Sequence, residues 1–206
     1  MKHRHTRALY DYWNRLRAGA PAPRRGLVEP ADIRAQLGDT FILDASSRPA
    51  VPFRLAGTRL CGLYGREMKN RDFRSLFTNR DGGAVETLVA AVSTDAAAAV
   101  VGLEGRNDRG DTIGLEMLLL PLGNGSGRYD RILGLLVPME NPYWLGLHAV
   151  MEQRVTSMRL LWPEEQPAHL RRNAEIPKTV PSVPEPPLRL VGERRAHLIV
   201  LEGGKR

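Results

Sequence analysis

Two stretches near the middle of the chain, Thr112 to Leu122 and Arg131 to Met139, constrain what it can fold into more than any other feature. In the first, Leu115, Met117 and Leu119 fall on one face of a strand, and Leu118 and Leu120 make the other face apolar too. In the second, Ile132-Leu-Gly-Leu-Leu-Val137 is apolar throughout. A strand that is apolar on both sides must be covered on both sides. A third candidate, Ala99 to Gly105, precedes them. Asn107-Asp-Arg-Gly-Asp111 reads as a polar hairpin turn, and Gly123-Asn-Gly-Ser-Gly127 as a flexible one, so the three strands should run antiparallel in succession. The N-terminus offers the obvious cover for the outer face. Residues 6–19 read as an amphipathic helix ended by Gly19 and Pro21, with Leu9, Tyr12, Trp13 and Leu16 on one side and Arg7, Asp11, Asn14 and Arg15 on the other. That stripe should pack on the domain's own sheet or on a second copy.

Between these elements lies a compact cradle. Pro30 to Leu37 reads as a brief helix with Ile33 and Leu37 inward, leading into a strand, Thr40–Asp44, a turn at Ser46 to Pro49, and a second strand, Phe53–Ala56. Phe53 and Leu55 alternate there with Arg54 and Ala56. Gly57 breaks the strand, Thr58 is placed to cap a short helix, and Leu60, Leu63 and Tyr64 share one face of it. Gly65 stands where that helix needs a left-handed end, and a second short turn brings in Phe73, Leu76 and Phe77. Asp81-Gly-Gly opens a longer helix to about Ala97, with Val85, Leu88, Val89 and Val92 at helical spacing. Strand, short helix, glycine stop and second turn bound a pocket or a docking surface. The candidate pocket residues are Phe53, Leu55, Leu60, Leu63, Tyr64, Phe73, Leu76, Phe77, Leu88, Val92, Leu115, Met117 and Leu119.

The 206 residues suffice for one good core. The net charge of +7 is uneven: residues 1–30 carry seven Lys/Arg against Asp11 and Glu29, whereas residues 31–162 hold fifteen basic and fifteen acidic side chains. A neutral body argues against a general nucleic-acid reader, leaving only the basic N-terminal arm for phosphates or an anionic membrane surface. Cys61 is the only cysteine, so no intrachain disulfide forms and the cytoplasm is the default location. No stretch approaches the ~18 apolar residues of a membrane span. Residues 143–162 read as a helix followed by a strand. From Pro163 to Pro187 seven prolines make an extended arm, after which Leu188 to Val191 and His197-Leu-Ile-Val-Leu201 read as strands for a hairpin or a sheet edge. The organisation expected is therefore an N-terminal helix and linker (1–29), a folded domain (30–162) and a Pro-rich arm (163–206).

Two strands, a cluster of short helices, a longer helix and three antiparallel strands is the order of a PAS domain. Leu9-Tyr-Asp-Tyr-Trp13 with Leu16-Arg17, Arg54-Leu-Ala-Gly-Thr58, Tyr64-Gly-Arg66, Leu118-Leu-Leu-Pro-Leu122 and Leu133-Gly134 resemble the small single-domain bacterial PAS proteins of the fifth subfamily over about Arg7 to Trp162. The resemblance implies an α+β fold, a five-stranded antiparallel sheet with helices on one face, and a sensory or signalling role without catalysis. It also implies a homodimer to which the N-terminal helix contributes, with Trp13 buried, and signalling partners such as sensor kinases. PAS proteins bind haem, flavin or small ligands. Haem PAS domains typically take a histidine from the longer helix, and residues 81–98 contain none; the flavin photoreceptors need a reactive cysteine in an Asn-Cys-Arg-Phe-Leu-Gln-like segment, whereas Cys61 sits earlier, in Arg59-Leu-Cys-Gly-Leu63. Both cofactors are therefore unlikely on sequence grounds, an unidentified small ligand remains open, and Cys61 reads as a buried small hydrophobe. The family often has Asn where this chain has Gly57.

Other motifs read blandly. The glycines of Gly57 to Gly65 lack the Gly-Lys-Ser/Thr of a phosphate loop, and Arg109-Gly-Asp111 is a turn. His148 and Glu152 could share a helical face but lack further metal ligands, and His3 and His5 fall in a terminus expected to fray. No Ser-His-Asp set or carboxylate pair stands out, so neither an enzyme nor a metal site is expected. The alternative to a PAS signalling module is a small regulator contacting nucleic acid through its basic arm, whose binding would weaken steeply with salt.

Overall fold

A computed structural model describes residues 1–46, 49–124 and 129–163, which belong to one compact unit. The chain runs α1 (Arg4–Arg17), β1 (Thr40–Asp44), β2 (Phe53–Ala56), α2 (Thr58–Leu63), α3 (Gly82–Thr94), β3 (Ala98–Asn107), β4 (Thr112–Leu122), β5 (Arg131–Pro138) and β6 (Val150–Leu161), with 3-10 turns between. All the strands join one antiparallel sheet in the order β2-β1-β5-β4-β3-β6. The sheet thus has six strands instead of the five expected. The sixth comes from the stretch read as helix then strand: residues 143–149 form turns and no helix, and β6 pairs with β3 along its whole length. The strand expected in the later part of that stretch begins at Val150, and its buried positions Val150, Gln153 and Leu161 are too few and uneven to mark its length. The β3 edge gives it a partner along its length, and Gln153 also bridges to Phe77 on the other side.

The inner face packs on α2, α3 and the 3-10 turn Phe73–Leu76. Here Phe41, Phe53, Phe73 and Phe77 interlock with ring centroids 5.1–6.1 Å apart. Phe41 lies opposite Gly134 across the β1/β5 ladder, and a Cβ at Gly134 would fall 2.1 Å from its ring, so the glycine makes the space that the ring fills. The outer face of β4 and β5, with Leu118, Leu120, Leu122, Leu133, Leu135 and Val137, is covered by Leu9, Tyr10, Tyr12 and Trp13 of α1 and by Ile33. The sheet apolar on both sides is therefore closed from both sides within one chain. Leu16 is half-buried beside the same cluster.

Several local expectations change. Helix α1 starts two residues earlier than expected and ends at Arg17, where Ala18 takes the left-handed conformation (φ 46°). The N-cap of α2 is Gly57 and not Thr58. A Cβ at Gly57 would lie 2.2 Å from the Leu37 carbonyl oxygen, so the chain needs glycine there to pass close under residues 37–38. Leu37 is exposed instead of inward, and Leu55 of the candidate pocket set is 47% exposed, because β2 is an edge strand and Leu55 lies off the core. Gly65 does take the left-handed conformation expected of it (φ 59°). Residues 47–48 of the turn at Ser46 to Pro49, residues 125–127 of the glycine-rich turn, and the stretch beyond residue 163 where a Pro-rich arm and terminal strands were expected lie outside the described residues. Among the described residues no helix is long and apolar enough to cross a membrane.

Candidate functional site

Strand register creates the site. Thr40, the first residue of β1, pairs with Leu135, but β5 continues to Pro138, which pairs with Leu115 of β4 on its other side. Leu136, Val137 and Pro138 therefore have no β1 neighbour. The notch is bounded by α2 (Arg59, Gly62, Leu63), by the loop after β5 (Asn141, Leu145, Gly146), by Asp39 and by His3 and His5, and it encloses about 440 Å³. The leucines, Val137 and Pro138 make an apolar floor; the histidines, the Asp39–Arg59 pair and Asn141 make a polar wall.

Asp39 is buried, and its two carboxylate oxygens accept from Arg59 Nε and Nη2, both at 2.7 Å; Arg59 Nη2 also reaches the Ala35 carbonyl at 3.0 Å. The Asp39 hydrogen bond holds the guanidinium pKa above its ordinary value, against burial, which lowers it. The guanidinium lies over Gly38, where a Cβ would come within 2.8 Å of Arg59 Cζ. His5 Nδ1 is 3.4 Å from Asp39 Oδ2 but is not aligned for a hydrogen bond, and the atom is buried without one. The His3 and His5 rings meet edge to face, centroids 5.0 Å apart. His3 Nδ1 accepts from the His5 amide at 3.2 Å, so a neutral His3 carries its proton on Nε2. Burial first, then the His5 charge, lowers the His3 pKa.

These histidines were expected in a frayed terminus. They are held because Glu116, buried on the outer face of β4, accepts from the amides of Lys2 at 2.6 Å and His3 at 2.9 Å. The first turn of α1 has no acidic residue of its own, and Glu116 supplies the negative charge its N-terminus favours. Burial raises the Glu116 pKa, but chiefly the two amides, with the N-terminal ammonium, outweigh it, and the net shift is downward. Glu116→Ala should therefore cost about 1–3 kcal/mol and speed amide exchange in the first turn of α1. Equal exchange in the two proteins would refute this anchoring.

Of the pocket candidates, Phe53, Leu60, Leu63, Tyr64, Phe73, Leu76, Phe77, Leu88, Val92, Leu115, Met117 and Leu119 are buried together against the inner face. Only Leu63 among them lines the notch. The Tyr64 hydroxyl donates to Gln153 Oε1 of β6 at 2.6 Å, and burial drives the Tyr64 pKa far up, against smaller lowering from Arg66 and Gln153. Cys61 is half-exposed rather than buried, its Sγ 3.8 Å from Glu67 Oε1. His148 stands 3.8 Å from Asp108, and with Glu152 on β6 the two share no helical face. Among the described residues no group of His, Cys, Asp or Glu is arranged to hold a metal ion. Sequence reasoning missed His3, His5, Asp39, Arg59 and Glu116. Nothing in their spacing links them, since the sheet register and the return of α1 across the outer face bring them together.

A sequence model described as PAS domain matches residues 1–137. No curated protein matches the chain. Solved structures that match include the dark state of the blue-light photoreceptor Aureochrome1 LOV (21% identity over 54% of this chain and 82% of that one, TM-score 0.43). Others are a Rhodobacter sphaeroides LOV protein (16%, 50% and 60%, 0.42) and the LOV domain of the Erythrobacter litoralis EL346 blue-light activated histidine kinase (21%, 50% and 95%, 0.41). The matched segment runs from α1 through β5, and the α+β architecture, with its antiparallel sheet packed on short helices and one longer helix, agrees with it. The chain belongs to the PAS-domain family.

Proposed function

We propose that the chain is a non-catalytic sensory and signalling module that binds a small ligand, a partner protein or both, and works as a homodimer. The observation that carries this reading is the position of the notch. Its polar wall includes His3 and His5 at the start of α1, the helix that covers the outer sheet face, so a molecule bound there touches an element placed to pass a signal on. Partner binding is supported by Tyr143 and Leu147, large apolar side chains that stand 82% and 77% exposed in the loop closing the notch. Signalling proteins such as sensor kinases are the partner class that fits a PAS module, and the cytoplasm is the location that fits the single cysteine.

The likeness to LOV proteins makes flavin the cofactor to test. The four interlocked phenylalanines occupy the space between sheet and helices, and the one thiol sits half-exposed on α2. That filled space and the place of the thiol support a reading without flavin, and α3 has no histidine to offer haem iron. Purified protein should show no visible absorbance, and its native mass should be that of two chains. A stoichiometric flavin or haem band would overturn the cofactor reading, and a single-chain mass the homodimer. The alternative, a regulator contacting nucleic acid, is favoured by Arg4, Arg7 and Arg15, which are exposed along α1.

A further inference from the structure

We propose that the notch binds a small organic carboxylate with an apolar body, its charged end between the first turn of α1 and Arg59 and its body on Leu63, Leu136 and Leu145. The inference rests on the sensory reading and names its ligand. Two features select the class. The floor is apolar and the polar groups lie on one wall, so the occupant must itself be polar at one end only. On that wall, the one carboxylate is already taken up by a guanidinium fork. What remains is mainly donors, with the Asn141 amide able to donate or accept. Arg59 Nη1 makes no hydrogen bond among the described residues, and a neutral His3 carries its proton on Nε2.

The charge balance gives the proposal a second edge. Asp39 and Arg59 cancel, so an incoming carboxylate finds its counter-charge by protonating an imidazole, and binding takes up a proton. The charged groups facing the two rings are Asp39 ahead of β1, Arg59 on α2, Glu116 on β4 and Arg4 on α1 itself. Hexanoate should accordingly bind more tightly at pH 6 than at pH 8, although hexanoate itself stays ionised throughout. Because His3 and His5 belong to the N-terminal turn that Glu116 anchors, the bound anion draws that turn toward α2 and slows its amide exchange.

The experiment is calorimetric titration of the full chain with hexanoate, hexanamide and inorganic phosphate, paired with amide exchange of residues 4–10. Hexanoate should bind about tenfold more tightly than hexanamide, and phosphate, which has no apolar body, should not bind. The double variant His3→Gln/His5→Gln lies outside both cores and should fold, losing the preference for hexanoate; Arg59→Gln should weaken hexanoate as well. Equal binding of acid and amide, binding of phosphate, no binding of hexanoate at about 10 mM, affinity independent of pH, or a preference retained in the double variant would overturn the ligand class. Hexanoate that binds with the expected preference but leaves α1 exchange unchanged would overturn the sensory reading instead.

Discussion

Trp13→Ala should lower the stability of the chain by about 3–5 kcal/mol, read as a shift of the chemical-denaturation midpoint. The side chain is buried against the outer sheet face, and its Nε1–H donates to the Pro121 carbonyl at 2.8 Å, which ties α1 to the β4 backbone. The Arg17 guanidinium lies 5.5 Å above the ring and the Tyr10 ring 5.8 Å beside it. Truncation removes the ring, leaves a cavity and strips the carbonyl of its partner. Trp13→Phe keeps most of the packing and should cost about 1–2 kcal/mol, separating the hydrogen bond from the burial. The stripe that holds Trp13 was expected to pack on the domain's own sheet or on a second copy; the sheet of the same chain buries Trp13, so the loss should appear at any protein concentration. A melt unchanged by Trp13→Ala would mean that α1 is a free arm.

Asp44→Asn should cost about 2–4 kcal/mol and flatten the acid limb of the stability profile. Asp44 is 1% exposed at the end of β1; it accepts from Arg54 Nε of β2 at 2.8 Å, from Arg131 of β5 and from the amide and hydroxyl of Ser46. One carboxylate thus holds three adjacent strands at one end of the sheet. Burial raises its pKa, but the Ser46 bonds, Arg54 and Arg131 together outweigh it and bring it from 3.8 to about 2. With the folded value below the unfolded one, the stabilisation is fully present above about pH 5 and is lost as the pH falls through about 4 toward 2. It amounts to about 2 kcal/mol. The cost of the substitution stays below that of a fully buried pair because Arg54 and Arg131 keep water contact. If Asp44→Asn loses as much stability between pH 5 and pH 2 as the unaltered protein, the carboxylate does not carry that limb.

Much of the architecture is readable from periodicity and punctuation. The bounds of β1, β2 and β4 match the runs of alternating or continuous apolar residues, because a strand inside a sheet must satisfy the same two faces that the pattern records. The demand of Leu118, Leu120 and Ile132–Val137 for cover on both sides, set beside the stripe Leu9, Tyr12 and Trp13, anticipated α1 lying across the outer face. Phe53, Phe73, Phe77, Tyr64 and their leucines were visible as one set, read as lining a pocket, and the fold buries them in one cluster.

What local pattern could not carry was anything that depends on how far one strand runs past another. The sixth strand joins the sheet because β3 offers an edge, and its own residues alternate too weakly to fix its length or to separate its start from a helix. The notch exists because β1 begins three residues short of the end of β5, a stagger set by sheet register and by Gly57 passing under residues 37–38. Its polar wall draws on residues 3, 5, 39 and 59, with Glu116 as anchor, positions joined by no spacing. Apolar periodicity is a local consequence of burial, so it is written along the chain. The meeting of sparse polar groups is a consequence of register and of the return of α1, which are settled only once the sheet has closed.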